Sequence, residues 1–486
     1  MATRGKQGSK APVAPPTAAT GSRTERDPLG EVVVPASALF GAQTQRAVQN
    51  FSISGLGPLP AFVRAIVRIK RAAAVTHKGT KRLDGERADA VIAAADEILA
   101  GAHAGQFVVD VYQAGAGTSL NMNANEVIAN RANEMLGAPR GSYAPVHPND
   151  HVNMAQSTND VIPTAIRLAI LDQLGALTTA LVGLQRSLSG KAGEFDDIVK
   201  AGRTHLQDAM PIRLGQEFGA WAGSVERSAR RIAEAADYLR DLGIGGTAVG
   251  TGVNAEPEYP SRIVAELRRL TSQQLRVGGN RIQLMQSMGD VVAFSGALRG
   301  AAVEISKICS DLRLLASGPR TGLDEIVLPP VQPGSSIMPG KVNPSIAEMV
   351  NQVCFQVIGN DTTVTMAGEH GQLELNVMMP VIAHNVLFSM QILTNAVIAL
   401  DERCVSGITA VEAQAAYWVE RSAALSTALA PRIGYAKAAE LAKESVKTGE
   451  SIRELATRKK VLPPAELDAV LDLRRMTEIG VPGTKE

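Results

Sequence analysis

The sequence is poor in aromatic residues and has no excess of charge of either sign. Nine Phe, six Tyr and two Trp make up only 3% of its 486 residues. Because alanine and leucine are abundant instead, helices packed closely on helices are favoured over sheets. The 49 basic and 48 acidic side chains leave a net charge of +1. This balance argues against nucleic acid or a membrane surface as a partner.

Cysteine is also scarce. Cys309, Cys354 and Cys404 have no C-x-x-C spacing and lie in apolar helical stretches. They are therefore predicted to be buried, reduced thiols of a cytoplasmic protein. No apolar run of membrane-spanning length without polar interruption is evident, and no apolar signal-peptide segment opens the chain. We therefore expect no membrane span.

The chain divides into four predicted parts. Residues 1–27 are rich in Ala, Pro, Gly, Ser and Thr without apolar periodicity, which predicts a disordered tail. Its prolines argue against the amphipathic helix of an organelle-targeting segment. An N-terminal helical domain (28–155), a central long-helix bundle (156–410) and a small C-terminal helical domain (411–486) are predicted to follow.

Apolar periodicity predicts the positions of the helices. The segment "EVVVPA" at 31–36 is predicted to be extended. The helical stretches are 61–80, 85–102, 119–137, 160–193, 207–241, 283–317, 345–367 and 376–402. The predicted fold class is all-α, with one elongated central helical bundle and smaller helical domains at its ends.

The stretch "GSSIMPGKVNP" at 334–344 interrupts these helices within a predicted loop at 332–345. Its glycines and prolines suit a linker, but a linker does not need two serines, a lysine and an asparagine. Other stretches are similarly dense in hydroxyl and amide groups: 115–127, 147–160, 202–211 and 368–376. Ser, Thr and Asn at a helix start are usually caps. Several such stretches together favour a binding role.

A small carboxylate is the guest that fits these groups. Helix starts favour an anion, and one lysine among neutral donors suits a carboxylate better than a polyphosphate. The G-x-G at 115–117 lacks the strand of a dinucleotide site. His147 and His151 have a metal-ligand spacing, but Pro148 lies between them and no third ligand is evident. Neither a metal nor an organic cofactor is expected.

With "GSSIMPGKVNP" as its most specific motif, the sequence resembles the aspartase/fumarase superfamily. The resemblance extends from "ERDPLGEVVVPA" at 25–36 to "SIRELATRKKVLPPAELD" at 451–468. It implies an enzyme that removes a group β to a carboxylate to give fumarate, without a cofactor. It also implies a homotetramer whose central helices merge into one core. The apolar surface of the long helices agrees with such an assembly, and the active sites are expected to be shared between chains.

The resemblance also implies roles for individual residues. Ser335 corresponds to the general base on a flexible loop, and His205 to a catalytic residue that faces the leaving group, with Glu348 as its acidic partner. The substrate-binding groups are Thr118, Ser157, Thr158, Asn159, Thr204, Ser336, Lys341 and Asn343.

The chemistry explains these residue types. Removal of a proton next to a carboxylate creates a dianion, which preorganised hydroxyls, amides, helix starts and Lys341 can stabilise in the transition state. A serine becomes a base only when N–H donors or a cation activate it and solvent is excluded. The glycines and prolines are therefore interpreted as a mobile lid that brings Ser335, Lys341 and Asn343 onto the substrate.

Within the superfamily, "GAGTSLNMNANEV" with Ser119 and "QSTND" with Thr158 resemble aspartate ammonia-lyases. The expected reaction is therefore the reversible deamination of L-aspartate to fumarate and ammonia. The stretch "GAQTQRAVQNF" at 41–51 resembles fumarases instead. A class II fumarate hydratase, a lyase for an N-substituted aspartate and a catalytically silent structural homologue remain as alternatives.

Two positions depart from the family pattern. Met154 stands where relatives usually have lysine, and Met379 where aspartases usually have glutamate. If these residues form an ion pair in relatives, both of its ends have been replaced here, and a joint apolar replacement can be nearly neutral for stability.

Overall fold

The computed structural model describes residues 21–484, which are mostly helical, and the prediction of a helical protein is confirmed. Its α-helices, in chain order, are α1 (Ala42–Asn50), α2 (Pro60–Gly79), α3 (Gly85–Leu99), α4 (Thr118–Met135), α5 (Thr158–Glu194), α6 (Leu214–Tyr238), α7 (Tyr259–Thr271), α8 (Arg281–Gln286), α9 (Gly289–Leu315), α10 (Ser345–Glu369), α11 (Met379–Arg403), α12 (Glu412–Arg421), α13 (Ser426–Ile433), α14 (Tyr435–Thr448), α15 (Ile452–Arg458) and α16 (Pro464–Val470).

Short strands pair into small two-stranded sheets. They are β1 (Ser22–Asp27), β2 (Gly30–Pro35), β3 (Val199–Thr204), β4 (Gln207–Arg213), β5 (Asp241–Leu242), β6 (Arg276–Val277), β7 (Ile326–Val327) and β8 (Thr409–Ala410). The pairs β1–β2, β3–β4 and β7–β8 are antiparallel, and β5–β6 is parallel. Each sheet has only two strands, so the helices supply most of the core.

The chain forms two compact units. The first unit comprises 21–166, 241–287 and 370–384 of the described residues, and the second unit comprises the rest. Each unit combines segments that are distant in the sequence. The predicted domains, with boundaries at residues 28, 156 and 411, are a different kind of division from these two units. The units do not test those boundaries, so the domains stay a prediction.

The first unit has its core around α2, which packs against α3 and α7, while α4 packs against α3. Ile66 and Ile69 of α2 and Val127 and Ile128 of α4 are fully buried. The apolar stripes of these helices thus lie against each other, which fixes the first residues of α4 relative to their neighbours.

The second unit has its core around α9, which packs against α10 and α6. Ile305 and Leu312 of α9 and Val357 of α10 are fully buried. Near the C-terminus a separate apolar cluster includes Ile452 and Leu455. The β3–β4 turn and the loop before α10, which hold the two residues predicted to be catalytic, also belong to this unit.

The stretch 160–193 corresponds to α5, 345–367 to α10, and 376–402 to α11. The stretch 207–241 was predicted to be one helix, and this is wrong for its first residues, because 207–213 form β4 and α6 begins only at Leu214. Met210, Ile212 and Leu214 alternate in a pattern that fits a strand, but the apolar residues that follow them continue at helical spacing.

The predicted disorder of 1–27 is wrong for its last residues, and 1–20 lie outside the described residues. Ser22–Asp27 pair in register with Gly30–Pro35 as β1 and β2. Glu25 is buried, where it forms an ion pair with Arg23 and accepts hydrogen bonds from the Ala42 N–H and the Tyr143 hydroxyl. Composition alone favoured disorder because it does not reveal that these polar side chains have partners.

The expectation that no segment could span a membrane is wrong by length and composition. Two described segments, Thr158–Glu194 and Met379–Gly407, are long and apolar enough to do so. In each, 56% of the most apolar window is already buried inside the chain. A core helix of a soluble protein passes the same test, so this finding is weak evidence for a membrane.

Candidate active site

The start of α4 holds the first candidate residue, Thr118. A tight turn at Gly115–Gly117 precedes it, with φ of 61° at Ala116 and 85° at Gly117. A side chain at Gly117 would lie 3.1 Å from the side chain of Ile162 on α5. The positive φ and this tight contact together favour glycine at position 117. Thr118 itself is the first residue of α4 and is exposed.

The start of α5 holds three more candidates, and one of them is a helix cap. The Ser157 hydroxyl accepts the N–H of Asn159 at 3.2 Å, and Asp160 accepts the N–H of Ser157 at 2.9 Å. The capping alternative thus holds for Ser157. The Thr158 hydroxyl accepts a hydrogen bond from the Asn121 amide at 3.2 Å, which joins the starts of α4 and α5.

The loop after β5 closes over the start of α5. The Asp160 carboxylate accepts the N–H groups of Gly245 and Thr247 at 3.0 and 2.9 Å. The Asn159 amide donates to the carbonyl oxygen of Ala248 at 2.8 Å. Because Asp160 is fully buried, its desolvation raises its pKa to about 6 despite these donors.

Lys70, which no sequence motif indicated, contacts the residues that precede α5. Its side chain is fully buried, and its ammonium donates to Asn153 Oδ1 at 2.8 Å and to Gln156 Oε1 at 2.9 Å. The same Asn153 oxygen accepts the amide of Asn121. Desolvation lowers the pKa of Lys70 to about 7. The available signal was a lysine within an apolar stretch of α2.

The turn between β3 and β4 carries two candidates of the second unit. Thr204 pairs with Gln207, so His205 and Leu206 alone form the connection. Both have positive φ, 56° and 58°. Thr204 and His205 are exposed, and within the described residues the His205 side chain makes no hydrogen bond.

The loop before α10 carries the largest group of candidates. The Ser335 hydroxyl oxygen accepts the backbone N–H groups of Ile337 and Met338 at 3.2 and 2.9 Å. The loop is closed at its base, since the N–H of Gly334 donates to the Lys341 carbonyl at 2.8 Å and the Asn343 amide donates to the Gly334 carbonyl at 2.6 Å.

The second serine and the lysine of this loop remain available to a ligand. Ser336 and Lys341 are exposed, and so are Ile337 and Met338. Asn343 uses its amide to hold the loop together, while its carbonyl oxygen accepts the N–H of Ser345 at 2.8 Å. Loop closure is therefore one role of Asn343 in addition to the expected contact with substrate.

Glu348 lies in the first turn of α10, where its carboxylate is 4.0 Å from the guanidinium of Arg313 on α9. No ion pair between Glu348 and His205 occurs within the described part of one chain. Their pairing, which the resemblance implies, stays a prediction.

The histidines considered for a metal are engaged with the backbone. The N–H of His147 donates to Nδ1 of His151 at 2.7 Å, and Nδ1 of His147 accepts the N–H groups of Asn149 and Asp150, both at 3.2 Å. Across residues 21–484, no group of three or more His, Cys, Asp or Glu side chains is arranged to hold a metal ion.

The structure thus brings the predicted residues together in three places. The starts of α4 and α5 hold Thr118, Ser157, Thr158 and Asn159 in the first unit. The β3–β4 turn holds Thr204 and His205 in the second unit. The loop and the first turn of α10, also in the second unit, hold Ser335, Ser336, Lys341, Asn343 and Glu348.

Comparison with known proteins identifies the family. The family model described as "Lyase" matches residues 30–359, and the model for the fumarase C C-terminus matches 425–478. An aspartate ammonia-lyase from a Bacillus species is 47% identical over 96% of this chain and 100% of that protein. A class II fumarate hydratase from Halobacterium salinarum is 51% identical over 94% of this chain and 98% of that protein.

Solved structures agree with this assignment. A fumarate lyase:delta crystallin from Brucella melitensis, bound to cobalt, is 51% identical and has a TM-score of 0.91 over 94% of this chain and 100% of that chain. A class II fumarase from Schistosoma mansoni is 34% identical and also has a TM-score of 0.91, over 94% of this chain and 99% of that chain. As the loop motif predicts, this chain belongs to the aspartase/fumarase superfamily and is a lyase.

Proposed function

We propose that the protein is an aspartate ammonia-lyase that reversibly converts L-aspartate to fumarate and ammonia. The observation that carries this proposal is the position of the Ser335 hydroxyl oxygen, which accepts two backbone N–H groups at 3.2 and 2.9 Å. Two such donors stabilise an alkoxide more than a neutral hydroxyl. A serine in this setting suits the removal of a weakly acidic C–H proton.

The proposed reaction proceeds by β-elimination. The Ser335 alkoxide takes a proton from the carbon β to the amino group, and the electron pair of the C–H bond moves into the adjacent carboxylate as a dianion. This pair then forms the C=C bond while the C–N bond breaks. Ammonia leaves with the C–N electron pair, and fumarate remains. Thr204 and His205 are proposed to face the leaving group.

The binding residues fit the charge that develops. Thr118, Thr158 and Asn159 are proposed to hold the carboxylate next to the broken C–H bond, together with the N-terminal ends of α4 and α5. Ser157 is proposed to donate its hydroxyl proton to the same carboxylate, because the cap uses only the hydroxyl oxygen as an acceptor, while the Ser157 N–H is already bonded to Asp160. Lys341, which is exposed on the loop, supplies a mobile positive charge.

Aspartate is favoured over malate by Ser119 in "GAGTSLNMNANEV" and by Thr158 in "QSTND". The second candidate, a class II fumarate hydratase, is supported by the 51% identity to the enzyme from Halobacterium salinarum. An N-substituted aspartate stays a further alternative. A silent structural homologue is disfavoured because Ser335, Lys341 and His205 are all present.

Product identification tests the proposal. The purified protein is incubated with fumarate plus ammonium and, separately, with L-malate, and the products are identified by chromatography. Formation of aspartate without malate turnover would support the ammonia-lyase. Rapid interconversion of malate and fumarate without aspartate formation would assign the hydratase. No reaction with either would overturn both and leave the lyase for an N-substituted aspartate and the silent homologue.

We also propose that the enzyme is a homotetramer in which neighbouring chains share each active site. Apolar side chains of the second unit are exposed on the long helices: Phe355 is 62%, Met366 58% and Val303 52% exposed. Such stripes are hazards on a monomer, and closed symmetric assembly covers them. Thr118, His205 and Lys341 are exposed in one chain, which agrees with sites completed by a neighbour.

Complementation tests the shared site. Inactive Ser335→Ala and Thr158→Ala proteins are dissociated together and reassembled. If different chains supply these residues, some mixed tetramers contain a site without a lesion, and activity returns. Ser335→Ala mixed with Lys341→Ala is the matched control, because one loop supplies both residues and no lesion-free loop can form. Verified mixed tetramers without activity would overturn the sharing.

We propose that the enzyme is cytoplasmic. Cys309, Cys354 and Cys404 are all free and buried, which is typical of a reducing compartment. Burial raises the pKa of the Cys354 and Cys404 thiols to about 12, so neither is a reactive thiolate at neutral pH.

A further inference from the structure

The β3–β4 turn has a conformation that its residues do not favour. With His205 and Leu206 at φ of 56° and 58°, this two-residue connection has the positive φ pair of a type I′ turn. Such turns are usually built from Asn-Gly, since only glycine adopts this region without steric cost. A turn of His and Leu is therefore strained, and the surrounding structure has to hold it.

Apolar packing does not hold the strained turn on one side of the hairpin. A surface cavity of about 360 Å³ is lined by Leu206, Arg203 and Glu217 among others. Leu206 itself is 70% exposed. Something other than apolar contact must therefore fix the end of the hairpin.

Four charged side chains, here named the Glu325 clamp, supply a different support. Arg203 donates through both terminal nitrogens to the two oxygens of Glu325, at 2.9 and 3.1 Å. The Lys200 ammonium lies 3.2 Å from Glu325 and 3.0 Å from Glu217. Glu325 and Lys200 are almost completely buried. Strand β3 thus places two cations on one buried carboxylate.

The backbone of β3 is shaped to make this contact. The register of β3 and β4 shifts between Ala201 and Arg203. Between them, Gly202 has no space for a side chain, since its Cβ would lie 2.5 Å from the Met210 carbonyl oxygen. A bulge of this kind redirects the following side chain. Arg203, which directly precedes Thr204, is thereby part of the clamp.

Glu325, at the other end of the clamp, is held in place by backbone hydrogen bonds. The N–H of Glu325 donates to the Leu315 carbonyl at 3.0 Å, and its carbonyl accepts the N–H of Val411 at 2.9 Å. The chain then continues through β7 toward the loop that holds Ser335. Glu325 is therefore anchored by its backbone while its carboxylate holds the hairpin.

We infer that Arg203 and Glu325 are positioning residues that hold the strained His205–Leu206 turn, so that Thr204 and His205 are presented to the substrate. This inference rests on the proposed function, which assigns Thr204 and His205 to the active site. Replacing a whole buried ion pair by apolar residues is often neutral for stability, whereas removing one of its partners is costly. The test of the clamp therefore keeps a cation at position 203 and changes only the geometry of its contact with Glu325.

A rescue experiment tests the inference. Arg203→Lys keeps the charge but loses the two-pronged contact, and misplacement of a catalytic group by about 1 Å can cost roughly 100-fold in rate. We expect kcat to fall by about 10–100-fold with a smaller change in KM. Adding Leu206→Gly should recover part of this loss, because glycine accepts the turn without strain. Leu206→Gly alone is the reference for that recovery.

The matched control is Arg131→Lys in the first unit. Arg131 also binds a carboxylate through two nitrogens, since its Nε and one terminal nitrogen donate to Glu97 at 2.6 and 2.8 Å, but it supports no turn. If both lysine variants lose equal activity, or if Leu206→Gly gives no recovery, the inference is overturned. Should Arg203→Lys not fold, Leu206→Ile replaces it, because a branched side chain increases the strain while leaving the clamp intact. Equal kinetics of Leu206→Ile and Leu206→Gly would then overturn the inference.

A second measurement separates this inference from the proposed function. The coupling between Arg203→Lys and Leu206→Gly is also measured in urea unfolding, which needs no substrate. A wild-type protein that acts on neither aspartate nor malate, but shows this coupling, would refute the function and keep the clamp. An active wild type without rescue or coupling would refute the clamp and keep the function.

Discussion

Replacing Ser335 by alanine removes the proposed base and tests its activation by the loop. The Ser335 oxygen accepts the N–H groups of Ile337 and Met338 at 3.2 and 2.9 Å. A hydrogen bond to a charged group contributes about 1.5–3 kcal/mol, so two stabilise the alkoxide by about 3–6 kcal/mol. Since about 1.4 kcal/mol is a factor of ten, the alkoxide population rises by roughly 10²–10⁴.

The expected loss of turnover has the same size. Proton-transfer groups typically contribute about 10²–10⁴ in rate, and we expect Ser335→Ala to lower kcat by at least this factor. Stability should change by less than about 0.5 kcal/mol, as for most substitutions outside the core. The loop around it is exposed, with Ile337 at 84% and Met338 at 50%, so no buried cavity forms.

Two assays separate loss of the base from loss of binding. The absorbance of fumarate gives kcat and KM, and exchange of the β-hydrogen of aspartate in deuterated water reports proton removal directly. Ser335→Ala should lose both turnover and exchange. The neighbouring Ser336→Ala is the matched control, because it removes an equivalent hydroxyl that the family resemblance assigns to substrate binding. It should retain exchange with a raised KM.

One result would refute the assignment of the base. If Ser335→Ala folds, assembles as the wild type does and still exchanges the β-hydrogen at a wild-type rate, another group removes the proton. Circular dichroism and sedimentation establish folding and assembly before the kinetics are interpreted.

Three further changes probe charge around the site. Lys341→Ala should raise KM and lower kcat, because its charge meets the carboxylate in both ground and transition states; an unchanged KM would restrict Lys341 to a role in the loop. Lys70 has its pKa lowered by burial to about 7. The unfolded chain therefore binds an extra proton between about pH 7 and 10, and stability rises with pH in that window. Relative to Lys70→Met, urea unfolding should show wild-type stability gaining up to about 1.4 kcal/mol per pH unit, and parallel curves would contradict this. Met154→Lys should destabilise the protein and Met379→Glu should recover part of that loss, whereas a double-mutant cycle without coupling would show that the two positions are independent.

The long helices could be predicted because their cores depend on a repeating apolar stripe. Helices α2, α4 and α10 begin within one residue of the predicted positions. The β3–β4 hairpin could not be predicted in this way. A type I′ turn is normally recognised by Asn-Gly, and here His205 and Leu206 occupy it. The contacts that permit this turn come from Glu325, which is 122 residues from Arg203 in the sequence.

The candidate site was predictable where its residues are exposed and unpredictable where they are buried. Clusters of hydroxyl and amide groups at helix starts indicated Thr118, Thr158 and the loop residues. Lys70 gave no such signal, because one lysine within an apolar helix has the same local sequence whether it is buried or extends to solvent. Lys70 can be buried because its ammonium donates to Asn153 and Gln156, and these residues contact α2 only in the folded chain.

Exposed and buried polar groups of the candidate site are proposed to have different functions: the exposed groups contact the substrate, and the buried groups hold them in position. His205 and Lys341 are proposed to contact the substrate, and such residues cannot be fully committed to partners within their own chain. Their positions must then be set by neighbours that are fully committed, as Asp160 is to the loop after β5 and Glu325 to β3. Removing a committed group should displace the exposed group that it supports, and because it also leaves buried partners unpaired, both kcat and stability should fall.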